Sequence, residues 1–214
     1  MMYAFSENYV LPISHDEVVH GKYSLLNKMA GDYWEKFAGF RTFMGYMMSH
    51  PGKKLSFMGN EFGQFKEWNY EEGLEFFLKD YPLHGKLSVF SKELNEFYKS
   101  TPAFYEIEDG WDGFEWLAAD DSDRNFYAYK RKDRAGNEII VLINFSGTDL
   151  YDYRLGVEQG KYQLVFNGDK VRYGGSGKIK KRVYYTKKAF SHGKEYSIAF
   201  DIPKLTCLYL TKIH

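Results

Sequence analysis

Residues 11–22 read LPISHDEVVHGK, and the reading of this stretch decides the fold. An apolar run ends at Ile13. Ser14 follows, then His15, Asp16 and Glu17 in a row, with His20 three positions on. Charged groups set directly after an apolar strand are costly unless they face water, a partner or a substrate. The preceding YVLPI (9–13) reads as a short strand that Pro12 makes irregular or terminating. The first question is whether titratable side chains at a strand end are caps or a site.

The residues that follow set this strand in a repeating order. GDYWEKFAGFRTFMGYMMSHPG (31–52) carries Trp34, Phe37, Phe40, Met44 and Met47 at steps of three and four, which predicts an amphipathic helix. Asp32 with Glu35 three residues on reads as its N-terminal cap, and Pro51-Gly52 as its stop. KKLSFMGNEFG supplies a second short strand over 54–58 and a glycine-bounded loop. In LSVFSKELNEFYKS (87–100), Leu87, Phe90, Leu94 and Phe97 repeat at helical spacing. Strand, helix, strand, helix predicts parallel pairing with crossover helices. Two such units cannot close a sheet buried on both faces.

From about residue 103 the pattern changes. FEWLAA, NFYAYKR, EIIVLINF, DYRLGV, KYQLVFN, YSIAFDI and TCLYLT are short runs separated by turn chemistry such as DRAGN, FSGTD and NGD. About seven strands at this spacing predict an antiparallel β-sandwich. The basic stretch GKIKKRVYYTKKAF (177–190) reads as a solvated hairpin.

Composition narrows the function classes. Lys plus Arg and Asp plus Glu number 29 each, and this balance speaks against nucleic acid or a membrane surface as a partner. The most apolar run, IIVLINF, is too short to span a bilayer. The single cysteine, Cys207, has no internal disulfide partner, which favours a cytoplasmic setting and a packed thiol. Aromatic residues make up 19% of the chain, useful either for packing or for the mixed apolar and hydroxyl faces of sugars.

Two readings of SHDE compete. Ser14 and Glu17 fit the S-x-x-E capping box, which makes His15 and Asp16 incidental loop residues. Alternatively, Asp16 beside an imidazole suits vicinal hydroxyls and a developing positive charge, and Glu61 follows the second strand in the same way. His15 and His20 stand five apart on different helical faces, so no metal site is expected.

SENYVLPISHDEVVHGK, PGKKLSFMGNEFGQFKEWN and YPLHGKL resemble the C-terminal half of the bacterial 1,4-α-glucan branching enzymes, a group of the α-amylase superfamily; GFEWL, GNEIIVLINF and YGGSG carry the resemblance into the β region. It implies the C-terminal portion of a TIM (β/α)8 barrel, about two βα units over 1–102, followed by an antiparallel β-sandwich over 103–214. Residues 10–13 would be the seventh barrel strand and 54–58 the eighth. The resemblance makes Asp16 the transition-state-stabilising carboxylate and His15 a neighbour bonding the same sugar. It sets Glu17 and Glu61 at substrate-side motif positions, with capping or loop stability as the alternative for both.

The implied substrate is an α-1,4-glucan, without cofactor or metal. Retaining chemistry needs a nucleophile and an acid/base carboxylate, which in this superfamily follow the fourth and fifth barrel strands. Neither motif occurs here. The resemblance already runs through residues 3–10, so the chain is expected to begin inside the barrel and to be inert alone. Self-association, or pairing with an upstream barrel fragment, is expected to cover its open edges. The rival expectation is a non-catalytic glucan-binding or barrel-completing module.

Overall fold

The structure, a computed structural model, describes residues 4–213. Strand β1 (Val10–Ile13) pairs in parallel with β2 (Lys53–Ser56), Val10 opposite Lys53 and Ile13 opposite Ser56. Helix α1 (Tyr33–Ser49) is the crossover between them. The expected cap is present as a reciprocal box. The Asp32 carboxylate accepts from the Glu35 amide at 2.8 Å, and the Glu35 carboxylate accepts from the Asp32 amide at 3.0 Å. β2 ends at Ser56, two residues short of the expected limit.

Helix α2 (Pro82–Lys99) begins five residues before the expected start. Pro82 sits where a helix lacks an amide acceptor anyway, and His84 is buried one turn ahead of Leu87, so the apolar stripe starts earlier than its Leu and Phe residues show. α1 departs from expectation in a different way. Its predicted stripe is buried from Phe37 to Met47, with Trp34 half-buried, but so are Arg41, Thr42, Gly45 and Ser49 around the rest of the cylinder, because α1 is packed on more than one side. Gly45 permits this. A Cβ there would lie 2.3 Å from Cys207 Sγ, so only glycine lets the helix approach the sheet.

Nine antiparallel strands follow: β3 (Phe114–Ala118), β4 (Phe126–Lys132), β5 (Glu138–Asn144), β6 (Leu150–Val157), β7 (Lys161–Asn167), β8 (Val183–Tyr185), β9 (Lys187–Ser191), β10 (Lys194–Ile202) and β11 (Thr206–Ile213). They form a six-stranded sheet, β3-β4-β5-β11-β7-β8, over a three-stranded sheet, β6-β10-β9. All seven expected strands are present, and the sandwich is as read.

Stretch 177–190 is not a hairpin. β8 adds to β7 in the large sheet and β9 adds to β10 in the small one, so the chain changes sheets at Thr186. Pairing with β7, Tyr184 opposite Tyr162, holds β8 in the large sheet, and the buried Tyr184 ring packs across the sandwich on Phe200 of the small sheet, 4.7 Å between centroids. The lysines around it are exposed, as expected.

The six-stranded sheet is covered on both faces. From β5, Ile140 and Leu142 join Phe126, Leu155, Ile198 and Leu208 between the sheets. Ile139, Val141 and Ile143 join Phe37, Phe40, Met44, Leu87 and Phe90 on the helix side. Alternate residues therefore face two different cores, each large buried side chain contributing about 1.5–3 kcal/mol. Polar ties complete the joint. The Tyr209 hydroxyl donates to Gly45 O at 2.6 Å, and the Ser49 and Tyr129 hydroxyls lie 2.6 Å apart. The guanidinium of Arg131, fully buried, donates to Ser49 O at 2.7 Å and to Gly113 O and Ile107 O at 3.1 Å.

The loop containing YGGSG docks on α1. Asp169 accepts from the Ser176 and Lys178 amides at 2.6 and 2.8 Å, and Gly174 O accepts from Trp34 Nε1 and Arg41 Nη2 at 2.8 and 3.2 Å.

Candidate functional site

Because β1 and β2 are parallel, the segments after both strands emerge on one side of the pair. Phe57, just past β2, donates its amide to Ile13 O at 2.9 Å and so holds the second strand end to the first. After Ile13 the backbone turns into a single 3₁₀ turn, His15–Glu17. The Ser14 hydroxyl accepts from the Asp16 amide at 3.2 Å. The serine half of the expected cap is therefore present, but bonded to Asp16. Glu17 does not complete a capping box: its carboxylate lies 3.4 Å from Lys28 Nζ, and Lys28 also donates to the Glu17 carbonyl.

His15 and Asp16 form a pair, with Nε2 3.3 Å from Oδ1. Both are open to solvent, His15 by 51% of its side chain and Asp16 by 70%. Two aromatic rings back the imidazole. Trp68 meets it edge-on at 5.8 Å, Phe57 lies 6.1 Å away, and the two rings contact each other at 5.3 Å. Trp68 is fixed by its own amide, which donates to Val18 O at 2.7 Å. The result is an exposed carboxylate and imidazole on an aromatic wall, suited to hydroxyl groups carried on an apolar ring.

Glu61 occupies the turn after β2. Its carboxylate accepts from the Gly59 amide at 2.9 Å, the backbone there being left-handed at φ 90°. None of the described contacts joins Glu61 to His15 or Asp16; it shares their side of the strand pair and braces its own loop. Beneath it, Asn60 is buried with an unpartnered Nδ2, and the buried His84 ring holds Phe62 O at 2.9 Å.

Sequence reasoning assigned no role to Glu67, Trp68 or Phe57. Glu67 accepts from the Gly21 and Tyr23 amides at 2.9 and 2.6 Å, bonds that hold its carboxyl below the usual range. It also lies 3.6 Å from His20 Nδ1. The segment KEWN thus clamps the loop that follows HDE. Its only signal was its place within a matched string, since a glutamate capping amides 44 and 46 residues away has no local pattern. Among the described residues no group of three or more His, Cys, Asp or Glu could hold a metal ion, and no helix is long and apolar enough to cross a membrane.

Comparison with known proteins now defines the class. Residues 116–212 match the family described as "Alpha amylase, C-terminal all-beta domain". The α-amylase of Halothermothrix orenii shares the fold, with a TM-score of 0.60 at 16% identity over 95% of this chain and 39% of that one. An α-amylase of Geobacillus thermoleovorans gives 0.54 at 10% identity, over 83% and 34%. The β region is thus an antiparallel α-amylase C-terminal fold.

Within that class the sequence is specific. It is 46% identical to the 1,4-alpha-glucan branching enzyme GlgB of Halothermothrix orenii, over 100% of this chain and 34% of the relative. It is 47% identical to that of Aquifex aeolicus, over 97% and 33%. The chain is similar to the C-terminal part of these 1,4-alpha-glucan branching enzymes. It spans about a third of the length of the curated relatives it matches.

Proposed function

We propose that the chain is the part of a 1,4-α-glucan branching enzyme that closes the catalytic barrel and carries its β-sandwich, dividing near residues 102 and 103. β1 and β2 would be the last two barrel strands. The observation that carries this reading is the solvent-open His15–Asp16 pair at the end of the first of two parallel strands. Exposed apolar side chains on the pair support a missing neighbour: Val10 is 52% and Leu55 40% exposed. A barrel strand is normally covered on both faces, so these would meet an upstream fragment or a second copy.

In the proposed reaction an α-1,4 bond of a glucan is cleaved through a covalent glycosyl-enzyme, and the 6-hydroxyl of an acceptor chain takes the place of water. Both flanking carboxylates for that displacement would come from the upstream part. Asp16 would hold hydroxyls of the sugar at the cleavage point and place negative charge beside the oxocarbenium-like centre. His15, oriented by Asp16 and the Trp68 edge, would donate to the same sugar. Glu17 and Glu61 would brace the loops that frame this subsite. A cytoplasmic setting belongs to the same reading, supported by the buried lone thiol, which burial pushes up to about 12.

The test is reconstitution. The purified chain is mixed with a separately produced upstream part of a branching enzyme, and new α-1,6 linkages in amylose are followed by debranching. Activity is expected only in the mixture, and Asp16→Asn is expected to abolish it. Unchanged activity with Asp16→Asn would sink the assignment.

A further inference from the structure

Between the His15–Glu17 turn and α1 the chain runs through residues 18–32 without a regular helix or strand. Two backbone positions in this loop are left-handed: Gly21 has φ 81° and Tyr23 has φ 63°. Glycine takes that shape freely, but a tyrosine keeps it only where surrounding bonds over-determine it. Tyr23 is 67% exposed, so packing of its ring supplies little of the hold.

Glu67 supplies it. Its Oε2 accepts from the Gly21 amide at 2.9 Å, and its Oε1 accepts from the Tyr23 amide at 2.6 Å. One carboxylate thus takes both left-handed residues, one on each oxygen, with Lys22 between them. Lys22 reaches back to the strand end, where its Nζ donates to Asp16 O at 2.7 Å. Trp68, next to Glu67, donates its amide to Val18 O at 2.7 Å and sets its ring 5.8 Å from His15. The loop is therefore gripped at residues 18, 21 and 23, and Lys22 and the indole carry that grip to Asp16 and His15. None of the described contacts joins Glu67 to either of them. His20 Nδ1 also lies 3.6 Å from Glu67, but its side chain is wholly exposed, and an ion pair in water holds little.

We propose that Glu67 is a positioning residue for the strand-end site: its grip on Gly21 and Tyr23 fixes Lys22 on the Asp16 carbonyl and so aims the Asp16 carboxylate at the sugar. That the site serves glucan transfer rests on the functional reading above. The grip demands a carboxylate. Glutamine has the same shape but a single acceptor oxygen, and its NH2 group meets the other amide donor to donor. Glu67→Gln therefore releases one of the two residues.

The first measurement uses the isotopically labelled chain by itself. In Glu67→Gln the Gly21 and Tyr23 amides should exchange with solvent about tenfold faster or more, and the amide chemical shifts of residues 15–17 should move. Unmoved shifts at 15–17 would overturn the positioning role. The second measurement is the reconstitution assay. Glu67→Gln should lower kcat about 10- to 100-fold with the KM for amylose within about twofold, while His20→Ala changes neither. Adding Tyr23→Gly to Glu67→Gln should recover part of kcat, because glycine holds the left-handed backbone unaided. Equal losses in Glu67→Gln and His20→Ala would assign the effect to the ion pair and overturn the grip. Full kcat in Glu67→Gln beside an inactive Asp16→Asn would overturn the positioning role and leave the functional reading standing. Activity retained in Asp16→Asn would overturn the functional reading, and the positioning role with it.

Discussion

β5 and the β1–β2 pair lie in one chain and differ in what covers them. From Ile139 to Ile143, β5 is buried on both faces, no residue more than 9% exposed. In the parallel pair, Val10 is half exposed and Leu55 is 40% exposed. The first region finds all its neighbours within these 214 residues. The second presents sheet edges unpaired among the described residues, and it is the one that carries His15 and Asp16. Stability and candidate chemistry are therefore housed apart, and substitutions should separate them.

The largest loss is expected at the joint between the regions. Arg131→Ala leaves the buried carbonyls of Ser49, Gly113 and Ile107 without donors and should cost about 3 kcal/mol or more, read as a lower urea midpoint. A smaller loss in that midpoint would show that the helix layer is held by apolar contact alone. Next is Gly45→Ala, which forces a methyl against Cys207 Sγ. It should cost about 1–3 kcal/mol, and adding Cys207→Ala should recover part of that in a double-mutant cycle.

A pH effect comes third. Burial, reinforced by the nearby Lys54 and Arg131 charges, pushes His50 down to about 4. The unfolded chain then binds the extra proton between about pH 6.5 and pH 4, so stability is full above pH 6.5 and is lost as pH falls toward 4. The loss should be roughly 2 kcal/mol between pH 7 and pH 4.5, and His50→Gln should flatten it in denaturation curves at those two values. Lys54 behaves alike in the alkaline range. Burial first and Arg131 second push it down to about 7, so its contribution rises from pH 7 towards 10.5 and Lys54→Met should remove that rise.

Asp32→Ala should cost about 1 kcal/mol in thermal unfolding through loss of the α1 cap. The smallest stability effect is predicted for Asp16→Asn, within about 0.5 kcal/mol because the side chain is exposed, although the same substitution should abolish reconstituted branching. A large loss of stability there would collapse the distinction between the two regions.

How much was legible in advance depended on the range of the interactions. The periodic helices, the α1 capping box and seven strands were readable, because each follows from residues within a few positions of one another. The amphipathic reading of α1 was incomplete, since Thr42, Gly45 and Ser49 are buried by a sheet formed from distant sequence. Stretch 177–190 reads as a hairpin by local pattern, whereas the destinations of β8 and β9 are set by pairing with β7 and β10. At the candidate site, His15 and Asp16 stood out as charges after an apolar strand. Glu17 suggested a capping box that the Lys28 contact replaced, and Trp68 and Glu67 left no local mark.

The amino-acid sequence by itself determined the alternation of strands and helices, the sandwich strands and the balanced charge, all properties of composition and local pattern, while its long motif strings carried the resemblance to branching enzymes. Tertiary structure alone decided that the six-stranded sheet serves two cores, that Arg131 ties three segments by their carbonyls, and that His15 stands on an aromatic wall. The reason is physical: a side chain's burial and partners depend on segments remote in sequence, and only folding brings those segments together.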